Sequence, residues 1–106
     1  MKFVTTETVS GYSISESLGM VMGNTIRARH LGKEITAVLR SIVGGEIPEY
    51  TRMMAQAREQ ALQRMLDGAK DLNADAVVSV RFQTSMVLQG SAELLAYGTA
   101  VKLSRN

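Results

Sequence analysis

The sequence predicts an α/β protein of the α+β type: a three-stranded antiparallel sheet packed on one long helix, with a shorter helix ahead of it. Three observations predict it. Residues 48–72 carry an apolar side chain at every third or fourth position, the repeat of a long amphipathic helix. Residues 76–86 and 93–103 alternate between two faces, the repeat of half-buried strands. The long helix also runs directly into the first of these strands, through Ala-Lys-Asp-Leu-Asn-Ala-Asp-Ala-Val-Val-Ser-Val at residues 69–80.

The elements follow in order. Residues 2–6 have the composition of a short strand, and Ser10-Gly11-Tyr12-Ser13 that of a turn. Residues 14–23 read as a strand. Period two places Ile14, Glu16, Leu18, Met20 and Met22 on one face and Ser15, Ser17, Gly19 and Val21 on the other. Gly23-Asn24 is its expected stop. Residues 31–43 are predicted helical, because Leu31, Ile35, Val38, Leu39, Ile42 and Val43 form one stripe. Gly44-Gly45 ends that helix, since glycine supplies the left-handed conformation of a C-terminal cap.

Pro48 suits the first turn of the long helix, where its fixed φ and missing N–H are tolerated. From there to Leu72 the chain is roughly 25 residues, about 37 Å of helix. Tyr50, Met53, Met54, Ala57, Ala61, Leu62, Met65, Leu66, Ala69 and Leu72 form its apolar stripe. Asn73 fits the left-handed position after the last turn. In residues 76–86, Val78, Val80, Phe82, Thr84 and Met86 alternate with Ser79, Arg81, Gln83 and Ser85. In residues 93–103, Leu95, Tyr97, Thr99, Val101 and Leu103 share a face. The short connection at residues 88–91 makes these two strands an antiparallel hairpin.

Composition bounds the function. The 106 residues read as a single domain, 1–106. Hydrophobic residues are 45% and charged residues 21%, which is a globular rather than a disordered balance. There are no cysteines, which excludes disulfides, thiolate metal sites and cysteine nucleophiles together. The first residues carry no apolar run of signal-peptide length, and no stretch approaches 18 apolar residues. The expected location is therefore cytoplasmic, with no membrane partner. A net charge of +2 is too small an excess to imply a nucleic-acid partner. A three-stranded sheet under one helix leaves a face and two edges open, and sheets this narrow are often completed by other subunits. Self-association through sheet edges and the N-terminal strand is expected.

Several segments together resemble the YbjQ-like family of bacterial proteins. They are residues 18–23, Ile42-Val43-Gly44-Gly45, Tyr50, Ala57-Arg58 with Ala61, residues 72–78, and Gly98-Thr99-Ala100-Val101. They cover essentially the whole chain in the right order. The resemblance implies a small subunit shaped like that of dodecins, assembled as a ring-shaped homopentamer. Family members are mostly uncharacterised and often labelled as heavy-metal-binding, so a metal ion is the cofactor class the resemblance implies. The chain departs from the family at Asn73, where glycine is usual; asparagine serves the same backbone geometry.

Each chemistry the residues suggest has a plainer rival. A closed transition-metal site needs three or four Cys, His or carboxylate ligands. This chain has one histidine, His30, which beside Arg27, Arg29 and Lys33 reads as part of a solvated basic loop. Symmetry is the one rescue, because a ring repeats one side chain around its axis. Met20 and Met22 share a strand face, and thioethers bind Cu(I), but methionine at core spacing is more often a space filler. The basic run at residues 27–33 has no interleaved aromatic residue, which disfavours a stacking surface for single strands.

No G-x-S-x-G occurs, and a Ser-His-Asp triad would have to use His30. Arg58 interrupts a small, apolar stretch and reads as one half of a structural ion pair, with Asp75 or across a subunit contact. Asp75 itself reads as a turn residue bonding local backbone N–H groups. Gly44, Gly45, Tyr50, Arg58, Asn73 and Asp75 are thus structural-motif residues, with no catalytic residue among them. The leading expectation is a non-enzymatic oligomeric binding or scaffold protein of unknown ligand. The alternative is a small-molecule or cofactor binder, or enzyme, with its site between subunits; a bound flavin would show as a 450 nm band. A weaker alternative is phosphate or nucleic-acid binding through the 27–33 loop, which would show as binding that collapses with salt.

Overall fold

The computed structural model describes residues 1–28, 48–88 and 91–106. Four strands and a helix follow one another: β1 (Lys2–Phe3), β2 (Tyr12–Ala28), α1 (Pro48–Asp71), β3 (Ala76–Leu88) and β4 (Ser91–Arg105). The sheet order is β1-β3-β4-β2. β4 pairs antiparallel with both β2 and β3, whereas β1 pairs parallel with β3. This corrects the predicted architecture: the sheet has four strands and is mixed, not three-stranded and antiparallel; the described residues contain the long helix. The shorter helix predicted for residues 31–43 lies outside the described residues.

The short strand expected within residues 2–6 is present as β1, but its place in the sheet is not legible from periodicity because its partner lies more than 70 residues away. Its hold on β3 extends past the strand itself. Val4 N–H donates to Val77 O at 2.9 Å, Val80 N–H to Val4 O at 3.0 Å and Ser79 N–H to Thr6 O at 2.9 Å. The segment then turns back and buries Val9, with Val4 and Tyr12, over Ala76, Val78, Val101 and Leu103. The N-terminal strand predicted as an intermolecular element is therefore used within its own chain.

Helix α1 covers the opposite face of the sheet. Ala61, Met65 and Ala69 pack with Val21, Val77, Val80, Leu94, Ala96 and Ala100. Alanine at the contact lets the helix approach closely, and Gly23 lets it approach further. A Cβ on Gly23 would collide with the Ala61 carbonyl oxygen and the Met65 amide, and would lie 2.7 Å from Arg64 Cβ. Two hydrogen bonds fix the crossing: buried Thr25 Oγ1 donates to Ala57 O at 3.3 Å, and Arg64 Nη1 donates to Asn24 O at 2.6 Å. Gly23 is thus a packing position inside β2, and the stop predicted there is corrected: the strand continues to Ala28.

The helix ends where the sequence places its end. Asn73 takes φ 58°, and its N–H donates to Lys70 O at 2.9 Å; Ala74 N–H donates to Ala69 O at 3.1 Å. These bonds satisfy carbonyls that the last turn leaves free.

Candidate interaction surface

Cross-strand partners share a face, so the register defines the face turned away from α1 row by row. Met20 lies opposite Thr99. Met22 lies opposite Tyr97, which lies opposite Arg81. Asn24, Leu95 and Gln83 form the next row, and Ile26, Glu93 and Ser85 the one after. The face is graded. Its β2 side is apolar, its β3 side polar. Glu93 bridges the strands, accepting from Asn24 Nδ2 at 3.2 Å and from Ser85 Oγ at 3.4 Å.

Met20 is 65% exposed, Ile26 58% and Met22 54%. The space-filling role that core spacing predicted for Met20 and Met22 is corrected. Two register irregularities in β2, between Ile14 and Glu16 and between Ser17 and Gly19, move Leu18 to the helix-side cluster and leave Ile14, Met20 and Met22 facing away. On the helix side of β3, beyond the edge of α1, Phe82 is 48% exposed; it shares a row with Ala96 and Gly23. By contrast the buried core is built from small residues, and its largest fully buried side chains are Met65, Val77 and Val101. Among the described residues, then, Met20, Met22, Ile26 and Phe82 stand exposed over a core that is mostly alanine and valine.

The residues singled out in the sequence are scattered rather than gathered. Asp75 lies at the start of β3. Its Oδ2 accepts from Leu103 N–H at 2.8 Å, its own N–H donates to Val101 O at 2.9 Å, and Lys102 Nζ stands 4.0 Å from Oδ1. It therefore serves a backbone 28 residues away rather than its own turn, and its cationic neighbour is Lys102, not Arg58. Arg58 is exposed midway along α1. Asn73 caps the helix as described. Tyr50 lies in the first turn of α1. His30, Lys33, Gly44 and Gly45 lie outside the described residues. Sequence reasoning overlooked Thr25 and Arg64, which clamp helix to strand. Their only sequence signal is a polar residue at each contact, and polar residues are common on strands and helices alike.

With this geometry in view, the comparisons place the chain. A model of the YbjQ family, described as "Putative heavy-metal-binding", matches residues 1–104. The chain belongs to this family. It is 62% identical over 99 residues to a UPF0145 protein of Archaeoglobus fulgidus, covering 93% of this chain and 92% of that one. It is 56% identical to a UPF0145 protein of Methanosarcina acetivorans over 97% of both chains. It is 53% identical to one of Thermosipho africanus over 100% of this chain and 98% of that one. A crystal structure from Pediococcus pentosaceus, described as a protein of unknown function in the DUF74 family, shares the fold. Its TM-score is 0.68 over 98% of each chain, at 18% identity.

Among the described residues no group of three or more His, Cys, Asp or Glu side chains converges; a closed transition-metal site needs three or four such ligands. Among them, too, no helix is long and apolar enough to cross a membrane.

Proposed function

We propose that this chain is a non-enzymatic, oligomeric binding or scaffold protein that works in the cytoplasm, and that it assembles as a homopentamer from one domain of 106 residues. The observation that carries this reading is the inversion of side-chain size. Met20, Met22, Ile26 and Phe82 are half or more exposed to within a few per cent, while the core is largely alanine and valine. Full burial of a large apolar side chain stabilises by about 1.5–3 kcal/mol, and a half-exposed one has roughly half of that still to gain. Assembly recovers that free energy.

A scaffold reading also accounts for the scattered polar residues. Asp75, Asn73, Thr25 and Arg64 each hold backbone to backbone. Of these, Asp75 also stands 4.0 Å from Lys102 Nζ in an exposed ion pair.

Native mass spectrometry of the untagged protein tests the reading. The expected result is a pentamer. A monomer at micromolar concentration overturns it. Extra mass on the pentamer identifies a ligand and decides between binding protein and bare scaffold. A metal held through the ring axis would leave with His30→Ala.

A further inference from the structure

The chain has no cysteine, so its thioethers are the only sulfur on which redox chemistry can act. A thioether has no thiolate form to activate it, and solvent access decides which methionine reacts. The methionines differ sharply in access. Met20 is 65% exposed and Met22 54%, whereas Met65 is 0% exposed in the core between helix and sheet. Met53 and Met54 are half-buried near the start of α1. Met1 is 44% exposed but precedes the first strand.

Met20 and Met22 also stand together. They project from one face of β2, about 7 Å apart along the strand. Val21 between them turns inward, into the cluster that holds Met65. The strand is therefore anchored from the helix side, and a change at either exposed thioether leaves the core contacts in place. Oxidation converts a flexible apolar side chain into a polar one. Here it would take Met20 and Met22 out of the apolar side of the face, opposite Thr99 and Tyr97, and leave Ile26.

We infer that Met20 and Met22 are a paired oxidation site that controls this face: as thioethers they are covered on assembly, and as sulfoxides they hold the face in water. The inference rests on the oligomeric reading above and adds its regulation. The oxidant is hydrogen peroxide. A sulfur lone pair attacks one peroxide oxygen; the S–O bond forms as the O–O bond breaks, and the other oxygen leaves as water. The sulfur is oxidised and the peroxide reduced. Two thiols of a methionine sulfoxide reductase reverse the step, giving back the thioether with water and a disulfide. Peroxide acts on the free subunit, and each oxidised subunit is kept out of the oligomer. Met65 is shielded in either state, so the fold survives the cycle.

Limited peroxide treatment of the dilute, untagged protein tests the site, read by tryptic peptide mass. Met20 and Met22 fall together in the peptide of residues 3–27, and Met65 in that of residues 65–70. The expected result is one oxygen and then two on residues 3–27, with residues 65–70 unmodified and far-UV circular dichroism unchanged. No oxygen on residues 3–27, or oxygen on residues 65–70 first, overturns the site. Native mass spectrometry of the same samples reads the consequence. The oligomer is expected to be lost as residues 3–27 take up oxygen and to return after methionine sulfoxide reductase with dithiothreitol. It is expected to survive peroxide in Met20→Leu/Met22→Leu. An intact oligomer with both thioethers oxidised overturns the control. So does loss of the oligomer in the peroxide-treated leucine variant, because another group then carries the effect. A wild-type chain that is monomeric before peroxide removes the oligomeric reading and this regulation with it, while the peptide masses still decide the oxidation site.

Discussion

Val78 and Val80 stand two residues apart in one strand and are buried on opposite faces of the sheet. Val78 packs with Val9, Ala76 and Val101 under the N-terminal segment; Val80 packs with Met65 and Val77 under the helix. Two residues of regular strand would put them on the same face. Ser79 between them takes φ 54°, and the register against β4 slips there, from Val78 opposite Thr99 to Arg81 opposite Tyr97. Thr6 O accepts the Ser79 N–H, and Arg81 Nη1 donates to Thr5 O at 2.8 Å. The N-terminal segment and the bulge thus hold each other in place.

A left-handed conformation costs a residue with a Cβ roughly 1–2 kcal/mol that glycine does not pay. Ser79→Gly is expected to leave the fold intact and to change stability by less than about 1 kcal/mol, in the stabilising direction. Ser79→Val, with its branched Cβ, is expected to lose about 2 kcal/mol or more. Urea unfolding of the two variants reads both. Equal stability for them would mean that the bulge is absent.

Gly23 and Gly98 have no room for a methyl group. At Gly98 a Cβ would lie 2.7 Å from Val77 Cγ1 and 2.9 Å from Val78 O. Gly23→Ala is expected to be the more damaging, because the atoms it meets are helix backbone and cannot rotate away. A loss of about 1–3 kcal/mol fits overpacking of this kind, seen as a fall in thermal midpoint. An unchanged midpoint in Gly23→Ala would contradict the close crossing of α1 over β2.

Asp75 separates a hydrogen bond from an ion pair. The Lys102 contact is long and both side chains are well exposed, so Lys102→Met is expected to cost about 0–1 kcal/mol. Asp75→Ala also removes the acceptor for Leu103 N–H, and about 1 kcal/mol more is expected to go with it. A double-mutant cycle in denaturant measures the coupling. If the two single variants are equally destabilised, the backbone bond contributes nothing.

Met20→Lys/Met22→Lys addresses assembly rather than folding. Both side chains project from the sheet into solvent in the subunit, so unfolding of the isolated chain is expected to shift by no more than about 0.5 kcal/mol per site. Two lysines on an open edge strand are the natural device against edge pairing. The expected result in native mass spectrometry is loss of the oligomer with the fold retained. An intact oligomer would place the contact elsewhere.

The amino-acid order by itself determined what depends on neighbours along the chain. The 3.6-residue stripe from Tyr50 to Leu72 reflects contacts within one helix, so α1 and its end at Asn73 were legible. The β3–β4 hairpin was legible because its strands adjoin. Family membership was legible because it spans the sequence in order. What only the tertiary structure decided are the features in which distant segments meet. β1 pairs with a strand more than 70 residues away, and the bulge at Ser79 aims its N–H at Thr6 O in the segment that follows β1. Leu18 leaves the face that alternation gives it with Met20 and Met22 because of irregularities that no alternation pattern encodes. Gly23 illustrates the difference. In sequence, glycine before asparagine signals a turn. In the fold it lies beneath Ala61 and Met65, where the missing Cβ is the space a helix requires. Local periodicity reports which face of an element is apolar; what covers that face is set by long-range packing.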